Sequence, residues 1–273
     1  MEIHIAVEIL VEPSDINAFF RIPVSIEEIT KFAALVAKQI LRQKIAEAEK
    51  AALYEIYQDK IGEMINGVVE KVDERSAIVN LGRTSVYLPM GQKIPGEHFV
   101  IGQTLKLYVV DVVSTTKGAQ IAVSRSDAGF LRRLFEEEIH EIYDGTVIIK
   151  DIAREPGERS KVAVYTTDQN VDPTGACIGP NGSRIQKIVA QLGNAKEKEK
   201  IDIIAYNENP GLYIMEALKP AQVSGVVLNR EERKAVAVVQ NGQLSLAIGK
   251  KGVNARLAVK LTGWNIDIKE MDE

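Results

Sequence analysis

The sequence predicts an α+β multidomain chain: a partial α/β head running into a long helix, a small closed β-barrel, and a small α/β module that occurs twice. Three observations carry this reading. The stretch from Ile26 to Gln58 has no glycine or proline and repeats its apolar residues at helical spacing. Five short β-rich runs follow it. From about residue 129 the same order of elements is read twice.

Residues 1–24 read as short strands, with Ile and Val in IHIAVEIL and breaks at Pro13 and Pro23. Ser25 and Glu28 have capping-box spacing, in which each side chain satisfies a free backbone N–H at the helix start. The helix then carries Phe32, Val36, Ile40, Leu41, Ile45 and Ile56 along one stripe and Lys44, Glu47, Glu49 and Lys50 on a solvated face. At 1.5 Å per residue it is a rod about 50 Å long. Head and rod together span 1–61.

Between 62 and 127 the runs INGVVEKV, SAIVNLG, TSVYLP, QTLKLYVVDVV and AQIAVSR are separated by turn residues such as Gly82-Arg83 and Pro95-Gly96. Five short strands in so few residues predict closure into a barrel, because closure removes exposed sheet edges. The duplicated part divides into 128–207 and 208–273. Each copy reads helix, strand, strand, short helix, turn, helix, strand. The same offset separates Gly179 from Gly249 and Gly182 from Gly252, an Ile precedes each turn, and each final strand carries Ile-Asp-Ile.

The bulk numbers bound the function. Of 273 residues, 45% are hydrophobic and 26% charged, which excludes a mostly disordered chain. The formal net charge of −4 argues against a DNA-coating protein but permits a local basic face. Cys177 is the single cysteine, so no internal disulfide forms. There is no signal-peptide pattern and no apolar run of about 18 residues, so a cytoplasmic, non-membrane protein is expected. A monomer is also expected.

The positive charge gathers at one place. LAIGKKGVNARLAVKLTG, residues 246–263, holds no acidic residue. A helix, I-G-x-x-G, helix arrangement is the signature of a KH module, whose loop clamps the backbone of about four single-stranded nucleotides. Glycine lets the chain turn sharply and approach a phosphate without a Cβ in the way, and the following helix offers free N–H groups and its positive end. The RNA-binding candidates are therefore Gly249, Lys250, Lys251, Gly252, Asn254 and Arg256 in the second copy. In the first they are Gly179, Pro180, Asn181, Gly182, Ser183 and Arg184. Pro180 has no N–H to give, so the first loop is expected to bind more weakly.

GKKG is not a P-loop, since no Ser or Thr follows the lysine and the upstream glycine is missing. His4, His98 and His140 are too scattered for a metal site or triad, and no catalytic residue, metal or cofactor is assigned. Cys177 reads as buried packing. Trp264 is either a packing anchor or a base platform. On the barrel, Tyr87, Phe99 and Tyr108 are candidate stacking residues, and Lys71, Arg75, Arg83 and Arg125 candidate phosphate contacts, with Arg125 carried as a site residue.

The order rod, barrel, KH, KH, together with AREPGERSKVAVYTTDQNVDPTGACIGPNGSRIQKIV and QLSLAIGKKGVNARLAVKLTGWNIDI, resembles the bacterial NusA family of transcription elongation and termination factors. The resemblance runs from about residue 26 to the end. It implies an S-one-type OB barrel at 62–127 and two tandem prokaryotic-type KH modules. It also implies binding to nascent RNA, RNA polymerase and other elongation factors, with effects on pausing, termination and antitermination. Two departures stand out. MEIHIAV is similar to the second half of a head that is usually longer, which implies either altered polymerase docking or a truncated form of the chain. NAKEKEK lengthens the connection before the first Ile-Asp-Ile strand. The alternatives are the RNA-binding tail of an RNA-processing enzyme and a protein–protein adaptor built on KH repeats.

Overall fold

A computed structural model describes residues 26–115, 118–193 and 198–271. The strands expected in 1–24, with His4 and Ser25, lie outside the described residues. Among the described residues, 26–56 with 114–115 and 118–119 form one compact unit. Tyr57–Val113, with Gln120–Glu273, form a second. No helix among the described residues is long and apolar enough to cross a membrane.

In the first unit, helix α1 runs from Ile26 to Gln58, as its uninterrupted composition predicts. Its stripe lies open: Phe32, Leu35, Leu41 and Ile45 are all more than half exposed.

The second unit begins with the barrel. Strands β1 (Met64–Val72), β2 (Ser76–Asn80), β3 (Ser85–Pro89), β4 (Thr104–Thr115) and β5 (Gly118–Ser124) form one sheet in the order β3-β2-β1-β4-β5. It curls into a nearly closed OB-type barrel. Alternate residues point inward: Ala77 and Val79, Val86 and Leu88, Leu105, Leu107 and Val109, Ile121 and Val123 are buried. Gly67 sits among them because a Cβ there would come within 2.5 Å of Val79.

The first KH module comprises α2 (Ala128–Glu138), α3 (His140–Tyr143), β6 (Ile148–Glu155), β7 (Arg159–Tyr165), α4 (Pro173–Ile178), α5 (Ser183–Ala190) and β8 (Lys200–Ala205). The second comprises α6 (Pro210–Ala217), β9 (Val223–Asn229), β10 (Lys234–Val239), α7 (Leu244–Ile248), α8 (Val253–Thr262) and β11 (Asn265–Glu270). Side-chain caps start several helices: Asp127 accepts from the Gly129 N–H, Asp172 from Thr174, and Asn209 from Gly211. In both modules a central strand pairs antiparallel with the strand before it and parallel with the last one.

The two Ile-Asp-Ile tripeptides occupy those last strands and do different work. Ile201 and Ile203 pack against the first core, Ile266 and Ile268 against the second. Asp202, on the opposite face, pairs with Arg159 and with the fully buried Lys161. Asp267 stays exposed. The difference arises because the second module's helices cover the outer face of the first module's sheet. Ala153, Ala163 and Ile204 share a core with Ile214, Leu257 and Ala258. Strand β7 is therefore buried on both faces, while β10 alternates.

The barrel and the first KH module are tied by two buried arginines: Arg125 donates to Gln191 O, and Arg154 to Arg125 O and Asp127 O. Arg125 pairs with Glu97, and Arg154 pairs with Glu199, whose carboxylate also takes the Ser160 hydroxyl and the Gly157 N–H. Both guanidinium groups lie against the ring of the fully buried Phe130, at 4.8 and 5.9 Å from its centroid.

Candidate nucleic-acid interface

The two glycine turns share one backbone conformation. Gly179 has φ 72° and ψ 173°, and Gly249 has φ 77° and ψ 168°, a region that essentially only glycine enters. Asn181 (φ 52°, ψ 26°) and Lys251 (φ 53°, ψ 23°) are both left-handed, as are Gly182 and Gly252 after them. The bonding repeats as well. The N–H of Gly179 donates to Gly175 O and that of Gly249 to Ser245 O, each at 2.9 Å. Those of Gly182 and Gly252 donate to the carbonyls of Gly179 and Gly249, each at 3.0 Å.

The first glycine is required by packing as well as by φ. A Cβ at Gly179 would lie 2.7 Å from Arg184 Cγ, and one at Gly249 would lie 2.8 Å from Asn254 Cβ. Neither α5 nor α8 receives a side-chain cap; the first N–H of each helix, Ser183 and Val253, donates instead to the turn carbonyls of Pro180 and Lys250. In the second loop, right-handed Lys250 precedes left-handed Lys251, the alternation that turns successive N–H groups toward one concavity suited to an anion.

The side chains sort into two groups. Lys250 and Lys251 are exposed, and no ion pair among the described residues involves them. Pro180, Asn181 and Ser183 are likewise exposed at the first loop. The other candidates are engaged by partners within the chain, Arg256 while still exposed. Asn254 is fully buried, and its Nδ2 donates to Leu218 O and Ala247 O at 3.0 and 2.9 Å. It braces the turn from behind, and this corrects the expectation that it faces the ligand. Arg184 donates to Glu141 at 2.8 Å and to Ala176 O at 2.7 Å. Arg256 makes a two-pronged pair with Glu155 of strand β6, at 2.6 and 2.7 Å, and donates to Lys251 O at 3.1 Å. Its hydrogen bonds draw the Glu155 carboxyl below its usual range, and Glu155 in turn raises the Arg256 guanidinium.

Arg125 is also corrected. Its guanidinium is buried against Glu97 and donates to Lys106 O and Gln191 O, so it joins barrel to KH module and does not meet a phosphate. On the barrel Tyr87 is exposed. Tyr108 packs tightly on Gly129, where a Cβ would fall 2.3 Å from its ring. Phe99 carries the Lys93 ammonium 5.4 Å above its centroid. Cys177 is fully buried, and burial pushes its thiol up to about 12. Trp264 packs against the second core.

Sequence reasoning missed the acidic partners Glu97, Glu141, Glu155 and Glu199. Each pairs with an arginine 28 or more residues away, and charge content alone gives no sign of such a partner.

An OB-type barrel followed by two KH domains, each with an I-G-x-x-G turn opening a helix, defines a tandem-KH protein. Residues 125–206 match the NusA-like first KH domain and residues 210–273 the NusA-like second KH domain. The chain is 44% identical over 259 residues to the transcription termination/antitermination protein NusA of Halalkalibacterium halodurans, covering 95% of this chain and 67% of that protein. It is 45% identical to the proteins of the same name from Bacillus subtilis, over 91% of this chain and 66% of that one, and Thermus thermophilus, over 92% and 64%. The chain belongs to the NusA family, and it spans about two thirds of the length of these relatives.

Proposed function

We propose that this chain is a non-catalytic, cytoplasmic RNA-binding transcription factor whose KH loops grip the backbone of single-stranded nascent RNA. In this reading it associates with RNA polymerase and other elongation factors and modulates pausing, termination and antitermination. Its relatives' name, transcription termination/antitermination protein, supports that assignment. We take the modules as 62–127, 128–207 and 208–273, with 1–61 as head and rod.

The observation that carries the reading is Lys251. A lysine in the left-handed region is strained, and such strain persists where the surroundings impose it, typically at a functional site. The first loop places asparagine, which tolerates that region, at the same point. The second loop thus holds a costly residue that adds charge at the turn opening α8. Contacts are assigned to Gly249, Lys250, Lys251 and Gly252 first, and to Gly179, Pro180, Asn181, Gly182 and Ser183 second. Asn254, Arg184 and Arg256 hold the loops in shape.

Two assays test this. Fluorescence anisotropy compares labelled single-stranded RNA with a duplex of the same sequence, and preference for the single strand is expected. A pull-down with core RNA polymerase, with and without a nascent transcript, tests the partner. Retention only when the transcript is present assigns the association to the KH loops. Retention in both arms adds a protein contact, and equal binding of duplex and single strand contradicts the loop mechanism.

A further inference from the structure

A second candidate site lies at the other end of helix α8, where the two KH modules meet. It is a cleft of about 300 Å³ lined by Tyr206, Tyr213 and Trp264, with Lys150, Asp151 and Glu208 at its edge. The rings form a connected set: Tyr206 lies 5.7 Å from Tyr165 and 5.1 Å from Tyr213, centroid to centroid, the latter edge-on at 75°. Tyr213 is 7% exposed and its hydroxyl donates to Leu261 O at 3.3 Å, so the floor is fixed. Tyr206 and Trp264 are half-buried and backed by the second module's core, leaving part of each to the cleft. Lys150 Nζ stands 5.1 Å above the Tyr206 centroid, so a base takes that ring face by displacing the ammonium.

The geometry points to this cleft as a nucleobase-binding pocket, in which one unstacked base of the single-stranded RNA lies against Tyr206 and Trp264. This rests on the proposed RNA-binding reading. A flat aromatic ligand fits because ring faces stack on any base. The Asp151 carboxylate at the edge repels a phosphate but accepts hydrogen bonds from the N–H edge of a base, and Lys150 remains for the adjoining phosphate. The ten residues of α8 place the cleft about 15 Å from the GKKG loop, so a strand held at the loop has a few nucleotides with which to reach it.

Trp264 is the single tryptophan of the chain and reports on its own pocket. The experiment follows its emission while the full chain is titrated with a short labelled single-stranded RNA, whose anisotropy is read in parallel. Quenching is expected to accompany binding. Tyr206→Leu should lose the quench and weaken binding on the order of tenfold, while Tyr206→Phe keeps both. Lys250→Glu with Lys251→Glu should weaken binding yet keep the quench at saturation. Anisotropy that rises while Trp264 emission and the Tyr206→Leu affinity stay unchanged overturns the pocket and leaves the loops standing. No anisotropy change at any concentration overturns the loop reading and the pocket with it. Should Tyr206→Leu unfold, adenosine monophosphate titrated into the unaltered chain decides: quenching supports the pocket, and its absence at millimolar nucleotide overturns it.

Discussion

At residue 251 the left-handed backbone and the side-chain charge pull in opposite directions. A non-glycine residue in that region costs about 1 kcal/mol, and glycine gives up part of the difference in unfolded-chain entropy. Lys251→Gly is expected to raise the denaturation midpoint by the equivalent of a few tenths of a kcal/mol while weakening RNA binding. Parallel chemical denaturation and RNA titration check this, and a variant that loses stability removes the strain argument. The two glycines of the loop are also unequal. Gly249→Ala meets the Asn254 Cβ at 2.8 Å and its backbone nitrogen at 2.9 Å, neither of which can swing away. Gly252→Ala meets only Arg256 Nη1 at 3.8 Å. Thermal unfolding should show Gly252→Ala costing about 1 kcal/mol from φ alone, and Gly249→Ala clearly more. The need for glycine was legible in I-G-x-x-G. The asymmetry was not, because it depends on what packs behind the turn.

Between elements, the join of the two KH modules is the least legible feature. Helix, strand and turn order followed from periodicity and from Gly and Pro placement, and the bounds of α1 follow from its composition. The pairing of Glu155 on β6 with Arg256 on α8 spans 101 residues and leaves no local pattern. It ties the first module's sheet to the second module's loop, since Arg256 also donates to Lys251 O. The Glu155 carboxyl is drawn below its usual range, chiefly by the Arg256 hydrogen bonds. Its contribution to stability is therefore fully present above the unfolded value of about 4.3, and it disappears as pH falls through the folded value. Glu155→Gln should lower the melting temperature by a constant amount from neutral pH down to about pH 5. Below that the gap should close. A gap that persists at lower pH assigns the effect to packing instead. The roles of Arg125 and Asn254 are hidden for a different reason: burial decides whether a polar side chain braces or binds, and residue type alone does not report burial.

For the molecule as a whole, the duplication sets what is shared and what diverges. Two modules with matching turns have unequal surroundings: the first carries Pro180 and Asn181 at its tip with Arg184 held by Glu141, the second two exposed lysines. Net acidity is thus compatible with a nucleic-acid ligand, because two positive charges stand where backbone amides converge. The repeat, the barrel and the family resemblance were all readable in the sequence, while the arginine contacts that join the modules were not.

The measurement that tests the central claim most directly is the salt dependence of single-stranded RNA affinity for the unaltered chain and for Lys250→Glu with Lys251→Glu. Removing one phosphate interaction should flatten the log–log slope by about 0.7, so the folded double variant should show weaker binding and a shallower slope. An unchanged slope in that folded variant would remove the GKKG loop from the RNA-binding site.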